Sequence, residues 1–73
     1  MFTHQKQSEG IMLRIRKEIA DKFKTQRNMA EEIELHETTI SNIIAGVLIA
    51  NNTQREKISK ALGVSFEELM KEI

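Results

Sequence analysis

The sequence predicts an all-α fold, and three of its features carry this prediction. The 73 residues include no proline and only three glycines, so few positions interrupt a helix. Apolar side chains recur at the i, i+3, i+4 spacing of a helix, with little of the alternation that strands show. There is no cysteine, so a chain of this length has to rely on helix packing without disulfides or thiolate-bound metal. We therefore expect one compact domain of five helices.

The N-terminal part divides into an arm and a first helix. Residues 1–10 show no apolar period and end in a glycine, which predicts a flexible arm before a domain that spans residues 11–73. The first helix is predicted over residues 11–24, with Ala20 beside an apolar stripe that recurs at every fourth position, namely Ile11, Ile15, Ile19 and Phe23. This stripe is expected to face the core.

Residues 26–45 are predicted to form two short helices. In the first of them, Met29 and Ile33 are four residues apart with Ala30 between them, which places three apolar side chains on one face. Thr25 precedes this helix as a predicted N-cap. The second helix repeats the spacing with three isoleucines, Ile40, Ile43 and Ile44.

The two helices are expected to meet at a tight corner, because only residues 34–36 separate their apolar faces. Ala30 allows close approach of the two backbones, since a larger side chain would hold them apart. Leu35 is placed to pack on Ile40 as a hydrophobic staple, and His36 is the predicted N-cap of the second helix. A small residue in the first helix, an apolar one in the turn and a branched one early in the second form the signature of a helix-turn-helix.

Two further helices are predicted after this motif. The fourth covers about residues 53–62, where Thr53 and Glu56 have the spacing of a capping box and Gly63 supplies the stop. The fifth covers residues 66–73, preceded by a second capping box that begins at Ser65.

The motif residues resemble those of the lambda repressor-like (Cro/C1, XRE-type) regulators over roughly residues 11–73. The resemblance is carried by Thr25-Gln26, Met29-Ala30, Ile40-Ser41-Asn42-Ile43 and Gly46. It implies a compact five-helix domain that places the second helix of its motif in the major groove of double-stranded DNA.

At two corners the chain departs from the family pattern. The glycine usual before the second helix is replaced by Phe23 or Lys24, and the glycine usual between the two motif helices is replaced by Glu34. A left-handed backbone at Glu34 would cost about 1 kcal/mol.

The resemblance assigns base reading to the exposed positions of the third helix. These positions carry Glu37, Thr38 and Asn42. Asn can bind adenine through two hydrogen bonds, Thr can contact a thymine methyl, and Glu can accept from cytosine. No Arg or Lys lies on this face, so electrostatic affinity has to come from elsewhere.

Several other polar residues are predicted to contact DNA phosphates. Gln26 and Arg27 begin the second helix, whose N-terminal amides favour an anion. The predicted phosphate-binding residues are Gln26, Arg27, Arg14, Lys17, Thr39, Ser41 and Asn51. Two alternatives remain open: Arg14 and Lys17 could be ordinary solvated side chains, and Asn51 could be a helix cap.

Charge is distributed unevenly although the net charge is zero. Residues 1–30 contain seven basic and three acidic side chains, whereas residues 31–73 contain four basic and eight acidic ones. Such a molecule could present a basic face to phosphates, although ordinary solvated helix faces would give the same composition.

An apolar run, Val47, Leu48 and Ile49, follows the third helix where the family commonly has polar or basic residues. Three such residues in a loop predict a partner surface. We expect a dimer contact formed by Leu48, Ile49, Met70 and Ile73, with fraying of the last helix as the alternative. A protein partner could also bind through Val47, Leu48 and Ile49.

Other function classes are disfavoured. No glycine-rich loop precedes a helix, and Glu34, His36 and Glu37 suit a helix start better than a metal site, so we expect no enzyme activity, cofactor or metal. Neither a membrane span nor a signal peptide is present, which makes the cytoplasm the expected location.

The sequence thus predicts a double-stranded DNA-binding transcriptional regulator, a repressor that binds its operator as a homodimer. The alternative is a protein-interaction module, antirepressor-like or antitoxin-like, that uses a helix-turn-helix fold with weak DNA affinity.

Overall fold

The computed structural model describes residues 12–73, so the predicted arm and Ile11 lie outside the described residues. Within that range the chain is all-α and carries five helices, as the sequence predicts. They are α1 (Arg14–Lys22), α2 (Gln26–Ile33), α3 (Glu37–Ile44), α4 (Asn52–Leu62) and α5 (Phe66–Leu69). Over residues 12–73, none of these helices combines the length and apolar character needed to cross a bilayer.

The core is one cluster to which every helix contributes. Six large side chains are almost fully buried: Ile15, Met29, Ile40, Ile58, Leu62 and Leu69. The isoleucines at positions 19, 43 and 44 and the alanines at positions 30 and 50 complete the buried set. The predicted core faces of the helix-turn-helix are therefore confirmed, except that Ile33 is only partly buried. Ala20 is exposed on α1 and does not belong to the core.

Helix α1 is shorter than predicted because the chain on its N-terminal side pairs with the C-terminal residues. Leu13 and Glu72 form an isolated antiparallel bridge. The Arg14 N–H donates to the Lys71 carbonyl at 2.8 Å, and the Ile73 N–H donates to the Met12 carbonyl at 3.0 Å. An extended segment at this place excludes helix before Arg14.

The same pairing corrects the prediction for the last helix. Helix α5 ends at Leu69, not at residue 73, because Glu72 pairs with Leu13 and the backbone groups of Lys71 and Ile73 bond to the chain beside it. Ser65 caps α5, accepting a hydrogen bond from the Glu68 N–H at 3.3 Å. The described residues show no return bond from the Ser65 N–H to the Glu68 side chain, so only half of the predicted capping box forms. Met70 follows the helix and is half-buried against the core of its own domain.

Helix α4 begins one residue earlier than predicted, and its capping box is not the predicted one. The Asn51 side chain accepts from the Gln54 N–H at 2.8 Å, and the Gln54 side chain accepts from the Asn51 N–H at 2.9 Å. Asn is a better N-cap than Thr, which explains why the box does not start at Thr53. Asn51 is therefore a helix cap, and Gly63 ends the helix with a φ of 70°.

Both corners that lack the usual glycine have a left-handed backbone. Lys24 has a φ of 74° and Glu34 a φ of 61°. At each corner a residue just past the helix satisfies a helical carbonyl: the Lys24 N–H donates to Ile19 at 2.9 Å and the Leu35 N–H to Ala30 at 2.9 Å. Glu34 therefore keeps the left-handed backbone of the glycine it replaces and carries its cost, and Lys24 has the same conformation.

Replacing either residue by glycine is expected to stabilise the fold. A left-handed L-residue costs roughly 1–2 kcal/mol, of which the greater backbone entropy of unfolded glycine offsets about half. Lys24→Gly and Glu34→Gly should each raise the free energy of unfolding by about 0.5–1 kcal/mol, measured by urea denaturation.

Ala20→Gly is the matched control for this prediction. Ala20 is exposed in the interior of α1, so the same residue type should there destabilise the protein by about 1 kcal/mol. Destabilisation by Glu34→Gly would contradict the strain argument.

Candidate nucleic-acid interface

Helix α3 has one apolar face and one polar face. Ile40, Ile43 and Ile44 are buried, whereas Glu37 and Thr38 are exposed and Asn42 is half-buried. All three predicted base-reading side chains therefore lie away from the core face of the same short helix. The helix can meet another molecule with polar groups alone.

The start of α3 relies on the backbone more than on its cap side chain. His36 occupies the N-cap position, as predicted, but its side chain makes no capping hydrogen bond. Glu37 lies in the first turn, where a negative charge interacts favourably with the helix dipole. The carboxylate thus has a structural role there that is independent of any contact with a base.

A hydrogen bond joins the first residue of α2 to the middle of α3. The Ser41 hydroxyl donates to the Gln26 side-chain oxygen at 2.8 Å. Because this bond occupies the oxygen of the amide, both N–H groups of the Gln26 side chain stay free to donate. The contact therefore fixes a donor group beside the exposed face of α3.

The N-terminus of α2 is held by local hydrogen bonds. Thr25 accepts from the Asn28 N–H at 3.1 Å, which confirms the predicted N-cap. The Asn28 side chain donates in turn to the Phe23 carbonyl at 2.9 Å. The amides of Gln26 and Arg27 belong to the first turn, which has no carbonyl partners within its own helix. This helix end is suited to an anion beside the Gln26 side chain.

The predicted phosphate-binding cations all have acidic neighbours. Arg27 lies 3.7 Å from Glu31, and Lys17 lies 2.8 Å from Asp21. The hydrogen bond and charge of Asp21 raise the pKa of Lys17 above its usual value. Exposed pairs of this kind are weak because solvent screens the two charges, so a phosphate can replace the carboxylate.

Arg14 is positioned differently from the other two cations. Its guanidinium contacts Glu18 at 3.2 Å and Glu68, in α5, at 3.6 Å. Hydrogen bonds from Lys22 and from Arg14 hold the pKa of Glu18 below its usual value. The structure thus brings Gln26, Ser41 and the face of α3 together, whereas Arg14 lies against α5.

Lys24 is a candidate that the sequence interpretation did not include. It is exposed, stands two residues before Gln26, and forms no salt bridge within the described part of the chain. Its left-handed backbone is the second unusual property. The sequence signal for this residue is a lysine at the corner where the family usually has glycine.

The loop after α3 forms an apolar surface. Val47 is 76% exposed and Ile49 is 90% exposed. The N–H groups of Val47 and Leu48 donate to the Asn42 carbonyl at 2.9 and 3.1 Å, which anchors the loop on the last turn of α3. The loop and the polar face of α3 are therefore structurally connected.

Three of the four predicted dimer residues line one shallow groove. Leu48, Ile49 and Met70 border a cavity of about 210 Å³ together with Phe66 and other residues. Ile73 is not among the residues that line it and pairs through its backbone with Met12 instead. We call the surface formed by Leu48, Ile49, Phe66 and Met70 the loop groove.

These features define a class of protein. Helices α2 and α3 form a helix-turn-helix, joined by residues 34–36 at a left-handed corner. The second helix has a polar face, and the first has a polar N-terminus. A helix-turn-helix family model of the Cro/C1, XRE-like type matches residues 15–69. The chain belongs to this family of DNA-binding regulators. Comparison with curated proteins and with solved structures gives no match.

The contact between Gln26 and Ser41 can be measured without DNA. In a double-mutant cycle of Gln26→Ala and Ser41→Ala, we expect a coupling free energy of about 0.5–1.5 kcal/mol in urea denaturation, because each single variant removes the same hydrogen bond. Thr38→Ala, on the exposed face of α3, should change stability by less than about 0.5 kcal/mol. Additive effects of the two single variants would show that the bond contributes nothing.

Proposed function

We propose that this protein is a transcriptional repressor that binds operator DNA as a homodimer in the bacterial cytoplasm. The observation that carries the proposal is the hydrogen bond between Gln26 and Ser41, because it places the N-terminus of α2 and the polar face of α3 in one surface. Occupation of an operator that overlaps a promoter is sufficient for repression.

The three reading residues supply different chemistry in this proposal. Asn42 offers the paired donor and acceptor that match adenine, and Thr38 offers a methyl group and a hydroxyl. Glu37 accepts from the amino group of cytosine, and at other bases its charge disfavours binding. Specificity comes from these contacts, while most of the affinity comes from phosphates.

Phosphate contacts are assigned around the reading face. Gln26 donates through its free amide N–H groups, and Arg27 and Lys24 provide charge at the same helix end. Thr39 contributes a hydroxyl from α3. The Ser41 hydroxyl already donates its proton to Gln26, so Ser41 acts by orienting that amide. Asn51 can donate through its side-chain N–H groups while its oxygen caps α4. Arg14 and Lys17 contribute to the more distant field of the positive N-terminal half.

The loop groove is assigned to the dimer contact. A two-fold axis beside it would let Ile49 of one copy enter the groove of the other, and the same contact would recur in reverse. Because the loop is anchored on Asn42, the axis would also fix the distance between the two α3 helices. The expected spacing of half-sites is one DNA turn, about 34 Å.

DNA selected from a random pool provides the first test. The bound sequences should contain two related half-sites, and affinity should fall steeply between about 50 and 200 mM salt because phosphate contacts release counterions. Binding measured by fluorescence anisotropy that does not change with salt would refute the DNA-binding role of this surface.

Two variants separate base reading from phosphate binding. Asn42→Ala should cost about 1–3 kcal/mol on the selected operator and relax the preference at one base pair, whereas Gln26→Ala should weaken binding to all sequences alike. Glu67→Ala, exposed on α5, is the control with unchanged affinity. If Asn42→Ala lowers the affinity for all DNA sequences equally, Asn42 does not read a base.

The dimer contact is tested at the most exposed apolar residue. Ile49→Asp should abolish dimers in sedimentation velocity, because a charge would be buried in the contact, and it should leave the unfolding midpoint of the monomer unchanged. Ile73→Asp is the matched control, since Ile73 is 60% exposed and does not line the loop groove. Equal effects of both variants would argue against the loop groove as the interface.

A second function is favoured by two observations. The exposed face of α3 carries no Arg or Lys, and Val47 and Ile49 are largely exposed. A protein-interaction module of the antirepressor or antitoxin kind would use this apolar loop for another regulator. DNA retention that does not respond to salt, together with a stoichiometric protein partner lost in Ile49→Asp, would favour this function over operator binding.

A further inference from the structure

A groove of about 500 Å³ lies between the C-terminal halves of α2 and α4. Its floor is apolar, formed by Phe23, Ile33 and Ala61, each only partly buried. Its rim is charged, with Glu32 and Glu34 on the α2 side and Lys57 and Lys60 on the α4 side. We call it the α2–α4 groove.

The four rim charges are free to meet a partner. Within residues 12–73, none of them takes part in a salt bridge shorter than 4.0 Å. The described part of α1, by contrast, pairs most of its charges internally, as Lys17 and Asp21 illustrate. The groove thus concentrates unpaired charges of both signs along two opposite walls.

Glu34 lines this groove although its backbone is left-handed. It maintains its side chain on the rim despite a left-handed backbone that glycine would adopt at lower cost. Strain of this kind that persists at a surface position points to a use for the side chain. A carboxylate beside Glu32 on the same wall is the property that glycine could not provide.

The groove is separate from the proposed DNA surface. Gln26 lies at the N-terminal end of α2 and Ile33 at its C-terminal end, about 10 Å apart along the helix. An acidic wall repels phosphates, so nucleic acid is not the expected occupant. Unlike the loop groove with Ile49, this groove is lined by none of the large, exposed apolar side chains of residues 12–73, so a two-fold contact would have nothing to insert into it.

We propose that the α2–α4 groove binds an amphipathic helix of a partner protein. One or two large apolar side chains of that helix enter the groove over Ile33 and Ala61. Basic side chains on one flank face Glu32 and Glu34, and acidic side chains on the other flank face Lys57 and Lys60. A helix that packs between two others makes the ridge-into-groove contact that helices prefer. The apolar side chains that anchor the partner helix would therefore recur at positions i, i+3 and i+4.

The charge pattern is tested with a displayed library of 16-residue helical peptides. The central stripe varies among Ala, Leu and Phe, and each flank varies among Ala, Glu and Lys. The wild-type protein should enrich peptides with one acidic and one basic flank. The pair Glu32→Lys and Glu34→Lys makes both walls basic and should enrich two acidic flanks, and the pair Lys57→Glu and Lys60→Glu should enrich two basic flanks.

Synthetic peptides from the selection locate and quantify the binding. Amide resonances of Ile33 and Ala61 should shift on titration, while those of Val47 and Ile49 should not. Glu34→Gly should lower the affinity for the peptide selected by the wild-type protein about threefold, the effect expected from loss of one exposed charge pair. The loss is expected although this variant stabilises the fold. All four rim residues are in contact with solvent, so circular dichroism melts should show that the charge variants fold.

Several results would overturn the proposal. Enrichment of the same peptides by all three proteins would contradict it, and so would a selection in which no peptide exceeds background. Resonance shifts confined to the loop groove would place the contact elsewhere. A concentration-dependent dimer lost in the pair Glu32→Lys and Glu34→Lys would identify a second copy as the occupant. Loss of operator binding alone would leave this groove unaffected, so the two proposals fail separately.

Discussion

The structure depends on the close crossing of α2 and α3. Ala30 is almost fully buried where the two helices meet, and its methyl group allows the backbones to approach while Met29 and Ile40 fill the core beside it. The turn of residues 34–36 can be this short only because Glu34 adopts a left-handed backbone. This crossing fixes which residues of α3 are exposed, and so which of its side chains can meet a partner.

The crossing also brings polar groups from two helices into one surface. Gln26 and Ser41 are 15 residues apart in the chain and share a hydrogen bond of 2.8 Å. A weaker crossing would separate them and leave the Gln26 amide without a fixed direction. The electrostatic support around this surface is modest, because Arg27 already pairs with Glu31. This explains why the proposed operator binding relies on oriented neutral donors and a helix N-terminus as much as on net charge.

The C-terminal end of α2 is strained and borders the α2–α4 groove. Glu34 combines a strained backbone with a position on the rim of an apolar groove, so stability and interaction make opposing demands on this residue. Lys24 shows the same conflict at the end of α2 that we propose to contact DNA, where a cation occupies a position suited to glycine. The two corners therefore store strain that the compact core compensates, and each places a charge at a surface to which we assign a partner.

The sequence by itself determined the features that depend on local spacing. The buried isoleucines of α3 and the Thr25 cap follow from patterns within a few residues, and the structure contains both. Tertiary structure decided what depends on distant residues. The pairing of Leu13 with Glu72 set the ends of α1 and α5, because backbone partners so far apart in the chain leave no periodic signal. Contacts between helices likewise decided that Ser41 orients Gln26 and that the charged walls of the α2–α4 groove face each other. In each case the two groups lie on different helices, so the pattern within one helix cannot predict that they meet.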